Sequence, residues 1–327
     1  MYRKYIFILL IFSQVLVSKI NAQKYSGGIP FLRNYSHEEY KGESQNFAVI
    51  QDDRGVMYFA NNTSVLEFDG SGWRQIFIPG KPTIYSLGKS KSGRIYVGAS
   101  KGELGYLYAN EKGVMTYKSL RDKIPKTDKG DSFNYIREIV FTDDNKIIFV
   151  SSLQLFIYDG KKFTTINKEK SPDDLNRFVS SFKIGENLYI QERGKGLHRY
   201  KGNSSFEFVP GTEKFSSIWI TGIFPTASDS LLFTTWSDKK YKFYNGKYSS
   251  DTLNSLLRSI YKNAKAKDSN YIMGLYDNGI VYTDDKLNIK KHISTTTGLQ
   301  NNTIYSLFVD KHSNVWAGMS NGISIIH

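Results

Sequence analysis

The sequence has 327 residues and a formal net charge of +13, with 23 Tyr, 21 Phe and 27 Gly but 7 Pro and no Cys. The missing cysteines exclude a disulfide framework and a lipid-modified thiol, so a chain of this size must hold together by core burial alone. The basic residues are scattered, and even Lys168 and Lys170 are interrupted by Glu169; such a pattern reads as solvated surface and not as a nucleic-acid or membrane footprint.

In chain order, the first segment reads as a secretory leader. Arg3 and Lys4 precede an apolar run from Ile6 to Val17, followed by polar Ser18, Lys19 and Asn21 and the small Ala22. That order predicts cleavage between Ala22 and Gln23. The run falls short of the roughly 20 residues a membrane helix needs, so an uncleaved anchor is the weaker reading. The expected location is therefore periplasmic or secreted. Residues 23–28 read as a short linker, and one domain is expected over 29–327.

From there the chain repeats. An apolar strand, a polar turn, an anchor strand, a second turn and a further strand recur seven times. The anchors are Tyr58 in GVMYFAN, Tyr96 in GRIYVGA, Ile148 in NKIIFVS, Tyr189 in ENLYIQE, Leu232 in SLLFTTW, Ile272 in NYIMGL and Trp316 in NVWAGM. They stand 38 to 52 residues apart, and the longest gap holds the polar insertion KTDKGDS at 126–132. Twelve residues before the anchor stands an isoleucine in five copies, Ile84, Ile136, Ile220, Ile260 and Ile304; Asn46 and Arg177 take that place in copies one and four.

Within a copy, runs such as FAVIQD and IYSLFVD are β-branched and aromatic, and DDRG, SKSG and DKHSN after them are tight-turn formers. A second turn follows the anchor, as in GASKG, YDNG and MSNG, and a third is visible in FDGSGW, YDGKKF and YNGKY, where Asp-Gly and Asn-Gly suit a hairpin. Three hairpins imply four strands per copy. A repeat near 40 residues with four strands predicts an all-β, seven-bladed β-propeller, with a β-solenoid as the weaker alternative. One segment reads otherwise: in DTLNSLLRSI, Leu253, Leu256, Leu257 and Ile260 have helical spacing behind Asp251 as an N-cap, leaving room for at most one short helical turn. The last copy, ending in GISIIH, lacks an outer strand. The free segment from Ile29 to Tyr35 is expected to supply it and close the ring, which removes the exposed edges.

The final copy, NNTIYSLFVDKHSNVWAGMSNGISII, resembles the two-component regulator propeller repeat. Asp310, Asn314, Trp316, Gly318, Asn321, Gly322 and Ile323 match its pattern, while Ser313 replaces the usual glycine. QNFAVIQDDRGVMYFANNTSVLEFDGSGW is similar to the opening blade of the same exported sensors. The resemblance covers about residues 29–327 and is strongest in copies one, two and seven; copies four and five are degenerate. It implies a sensor region that in such receptors precedes further domains, often a second propeller, a three-tyrosine β-sandwich, a membrane helix and a kinase or DNA-binding output. Nothing of that kind follows His327, so the expectation is a first sensor propeller by itself.

Catalytic patterns are weak. His37, His198, His292, His312 and His327 form no HExxH or His-x-His, so no metal or cofactor is expected. The pairs Asp52 and Asp53, Asp143 and Asp144, and Asp284 and Asp285 fall in repeat turns and read as turn formers, not as opposed glycosidase carboxylates. A ligand site is expected at one mouth of the channel, where loops from every blade converge. The turn after the anchor strand supplies Asn61, Asn62, Lys101, Glu103, Arg193, Trp236, Asp277 and Asn321, suited to stacking on and hydrogen-bonding a sugar. The expected partners are a small extracellular ligand, an oligosaccharide first, then a signalling partner or further C-terminal domains, and a second copy of the chain. The alternatives are a propeller hydrolase or lyase acting on polysaccharide and a secreted lectin-like protein.

Overall fold

The structure, a computed structural model, describes residues 28, 30–125, 135–168, 177–226, 230–266 and 270–327. The expected leader and the insertion KTDKGDS lie outside them. The described chain forms seven four-stranded antiparallel sheets, one per repeat. The inner strands are Asn46–Gln51, Ile84–Lys89, Glu138–Phe141, Arg177–Ile184, Ile220–Pro225, Ile260–Lys265 and Ile304–Val309. Each packs beside the inner strands of the two neighbouring blades, so together they ring a central channel. The seventh blade takes its outer strand from the other end of the chain, as expected. Leu32–Tyr35 pairs antiparallel with Ile323–Ile326, Leu32 opposite Ile326 and Tyr35 opposite Ile323.

The first turn of each copy explains the recurrent Asp-Gly chemistry. Three residues before the anchor the backbone is left-handed at Gly55 (φ 97), Gly93 (φ 81), Asn145 (φ 60) and Ser313 (φ 73). Glycine takes that conformation without steric cost, and Ser313 adopts it in glycine's place. Asp310 closes the same turn: its carboxylate accepts from the His312 and Asn314 amides at 2.8 and 2.9 Å and from the Trp316 indole at 3.0 Å. Asp52 does the same in blade 1, accepting from Arg54 N, Val56 N and the Tyr58 hydroxyl. These turn carboxylates thus tie down the anchor of their own blade.

The core is divided among the seven blade interfaces. Every anchor faces the following blade, and the isoleucine twelve residues earlier faces the preceding one, so the two meet: Tyr58 with Ile84, Tyr96 with Ile136, Tyr189 with Ile220, and Ile272 with Ile304 share clusters. Close approach is built in. A Cβ at Gly98 would lie 2.8 Å from the Ile136 Cβ, and one at Gly274 2.9 Å from that of Ile304. Serine hydroxyls pin the same contact, Ser86 to Ile136 O at 2.9 Å, Ser180 to Ile220 O at 3.4 Å and Ser306 to Asn46 O at 3.3 Å.

Two expectations are corrected. Copy four does not lack its core residue: its hairpin is one residue shorter, so Phe178, not Arg177, stands opposite the third residue past the anchor, Glu192, and is 5 % exposed. The one short helical turn that the spacing allows is present, a 3-10 turn over Ser255–Ser259, but its cap is Asn254, whose side chain accepts from Leu256 N at 3.0 Å, and not Asp251. Asp251 cannot cap it because it is paired opposite Lys240 in the outer strand Lys247–Thr252.

Two stability predictions follow from the closure. Tyr35 is 4 % exposed and stacks on Trp316 at 6.1 Å while meeting Phe68 and Trp73 edge-on. Tyr35→Ala is expected to cost about 3 kcal/mol or more in urea unfolding, whereas truncation of exposed Phe31 is expected to cost little. The Asp310 carboxyl is pushed up by burial, but the Trp316 and Asn314 hydrogen bonds outweigh this and hold it below the usual range. A depressed folded pKa gives stability that is present above the unfolded value near ~4 and lost as pH falls through the folded one. The melting-temperature gap between the parent and Asp310→Asn should therefore be widest near neutral pH and narrow as pH drops below about 4.

Candidate functional site at the channel mouth

The starts of the inner strands lie beside the ends of the second strands, Ile84 opposite Ala99, Ile260 opposite Leu275 and Ile304 opposite Met319. One face of the ring therefore collects the turns after the anchor strands and the connections between blades. Just inside it, six inner strands carry a β-bulge, and the extra residues are Phe47, Tyr85, Val179, Thr221, Tyr261 and Tyr305. A bulge leaves one residue unpaired and re-aims its side chain. Five of these, with Arg137 in the corresponding place of blade 3, line a channel cavity of about 290 Å³.

Aromatic rings run continuously around this mouth. From Tyr135 the centroid distances are 4.6 Å to Tyr85, 4.9 Å on to Phe47, 5.1 Å to Tyr305 and 5.9 Å to Tyr261. The run continues 6.2 Å to Tyr276, 6.0 Å to Trp236 and 5.6 Å to Trp219. The last two indoles are nearly parallel, at 8°, and the Trp219 N–H donates to Ser180 Oγ at 2.6 Å, which fixes the ring. Trp219, Trp236 and Tyr276 are 41 %, 46 % and 46 % exposed, far more than aromatic residues that merely fill a core. Burial raises the hydroxyls of Tyr85, Tyr261 and Tyr305, with Arg137 pulling Tyr261 the other way, so all three remain proton donors at neutral pH.

The rings form a horseshoe. Its gap, between Tyr135 and Trp219, is filled by blades 3 and 4. Arg137 Nη1 donates to Phe178 O at 2.9 Å. Next to it, Glu138 accepts from Ser181 N at 2.9 Å and from the Ser181 hydroxyl, and reaches Lys262 of blade 6 at 3.5 Å across the channel.

Of the residues expected here from sequence, Trp236 lines the cavity. Asp277 lies on the rim beside Tyr276 and accepts from Ser259 Oγ at 2.9 Å. Lys101, Arg193 and Asn321 are exposed on the same face, and Glu103 accepts from Tyr117 OH and Ser119 Oγ at 2.7 and 2.6 Å. Asn61 has no exposed surface: its amide donates to Glu43 O, Gln45 O and Asn46 Oδ1 and accepts from Glu43 N, so it braces the blade 1 entry. The turn-based expectation missed the bulge residues. Their signal was the aromatic directly after the recurring isoleucine or its substitute, in Phe47, Tyr85, Tyr261 and Tyr305. Asn61→Ala should lower stability by about 1–3 kcal/mol in urea unfolding, whereas Asn321→Ala should leave it within about 0.5 kcal/mol.

Residues 298–321 match the family model described as two component regulator propeller. No curated protein sequence matches the chain. Among solved structures, the chain is similar to the extracellular domain of BT3049 from B. thetaiotaomicron, described as a hybrid two component system. The TM-score is 0.67 and the identity 18 %, over 91 % of this chain and 42 % of that one. The extracellular domain of BT4673 from the same organism, described as a one component system, gives 0.67 and 20 %, over 91 % and 40 %. Virginiamycin B lyase from Staphylococcus aureus gives 0.66 and 12 %, over 91 % and 99 %. The chain thus spans about two fifths of those two extracellular domains but nearly the whole of the lyase. Its last blade thus matches the two component regulator propeller model, and its seven-bladed fold is similar to those extracellular domains and to the lyase.

Proposed function

We propose that this chain is the ligand-recognising propeller of an exported sensor, and that it takes a saccharide fragment at the aromatic mouth. The horseshoe of rings carries the reading. Exposed, mutually braced indole and phenol faces suit the apolar faces of sugar rings, while the phenol hydroxyls and the Arg137 guanidinium supply donors for sugar oxygens. The likeness to extracellular domains of two component and one component systems supports the sensing role, and the matching repeat agrees. Occupancy would signal to a partner or further domains by favouring one of two arrangements, which requires different affinity for each.

The similar lyase motivates an enzymatic second reading. Among the described residues, the cavity is lined by one carboxylate, Glu138, already engaged by Ser181 and Lys262, and by no histidine. That lining favours binding over the two-carboxylate chemistry of glycoside hydrolysis. In tryptophan-fluorescence titrations against a panel of oligosaccharides, a saccharide should perturb the indole signal without being consumed. Trp236→Ala should weaken its binding about tenfold. Turnover of the saccharide, or unchanged affinity in both Trp236→Ala and Trp219→Ala, would reject this reading.

A further inference from the structure

The charge at the gap of the horseshoe narrows the ligand class, given the saccharide reading above. The cavity lining holds three cations, Arg137, Lys183 and Lys262, against the single carboxylate of Glu138. Lys183 is held at the edge, bonding Asp143 at 2.9 Å and Glu186 O at 2.9 Å. Lys262 has the long 3.5 Å contact with Glu138. Arg137 is half-buried and makes its described hydrogen bond to a neutral carbonyl, Phe178 O; among the described residues no carboxylate pairs with it. A guanidinium offers five donors in a planar fork that matches a carboxylate or sulfate, and a half-buried one without a counter-ion is costly to hold.

We infer that the saccharide carries an anionic group, a carboxylate or sulfate ester, which seats at the gap between Arg137 and Lys262 while its rings stack along Trp219 and Trp236. Glu138 is then the internal competitor. Its carboxylate holds Lys262 across the channel when the mouth is empty, and the ligand anion takes Lys262 over. A cross-channel link between blades 3 and 6 opens as the ligand arrives, so occupancy is coupled to how those two blades are held.

The two charged neighbours therefore have opposite expected effects. Glu138→Gln keeps an acceptor for Ser181 but removes the competing charge, and Arg137→Gln removes the receiving fork. Isothermal titration of the full chain with trigalacturonate, a sulfated disaccharide and neutral galactotriose separates the cases. One of the two anionic sugars should bind more tightly than galactotriose, and its affinity should fall as salt rises; which one binds tells carboxylate from sulfate. Arg137→Gln should weaken that sugar about ten- to a hundredfold, clearly more than it weakens galactotriose, while Glu138→Gln should tighten it. Equal binding of neutral and anionic sugars, or affinity for the anionic sugar unmoved by either substitution, overturns the inference and leaves the saccharide reading standing. Failure of every sugar, neutral and anionic, removes both. Should Arg137→Gln melt far below the parent, the direction of the Glu138→Gln effect decides.

Discussion

One contact, repeated at six of the seven joins of the ring, holds this molecule together: the anchor of a blade meeting the apolar residue at the start of the inner strand of the next. Burying one such side chain contributes about 1.5–3 kcal/mol, and the second strands on which the anchors sit are buried along almost their whole length. The contact is kept tight by small residues opposite the isoleucine and by serine hydroxyls that reach the isoleucine's own carbonyl. A blade alone has two apolar faces and no partner for either, so stability belongs to the interfaces and not to the sheets.

The same arrangement creates the candidate site. In blades 2 and 7 an isoleucine packs into the interface at the start of the inner strand and the serine two residues on bonds the next blade, and the residue between them is left as a bulge. Its side chain has nowhere to go but the channel. Hence the site is written in the positions next to the core residues, and the specificity of the mouth can vary while the interface stays constant. Blade 3 uses that freedom most, placing Arg137 and Glu138 where its neighbours place aromatic or small residues.

Much of the fold is legible in the sequence because its period is strong. The spacing of Ile84, Ile136, Ile220, Ile260 and Ile304 is enough to locate the interfaces, and the orphan third strand at Ile323–Ile326 implies its partner at the other end of the chain. Two details are hidden for physical reasons. Phe178 sits one step out of register because blade 4 has a shorter hairpin, which spacing alone reads as a missing residue. Asp251 resembles a cap by type, but strand pairing with Lys240 commits it first. The site is half legible: Trp236 stands in a turn, where exposure is expected, whereas Tyr85, Tyr261 and Tyr305 stand inside strands, where alternation suggests core. Asn61 misleads in the opposite sense, since a polar residue after an anchor strand looks available and is fully consumed by backbone groups and a neighbouring amide.

The seam between the seventh and first blades differs from the others at its inner edge, with Asn46 where five blades carry isoleucine. Its amide bonds Gly322 O at 3.1 Å and Ser44 O at 3.2 Å, its carbonyl receives Ser306, and Gly322 N returns a bond to Ser44 O at 2.9 Å. An isoleucine-faced edge makes a non-directional contact, whereas the Asn46 amide adds a directional bond, to Gly322 O, that the seventh blade supplies. A different blade at this seam would cost Asn46 its bonds with Gly322 and Ser306, while those with Tyr40, Ser44 and Asn61 inside its own blade would remain. The join where the two ends of the chain meet thus adds a directional polar match to its aromatic packing.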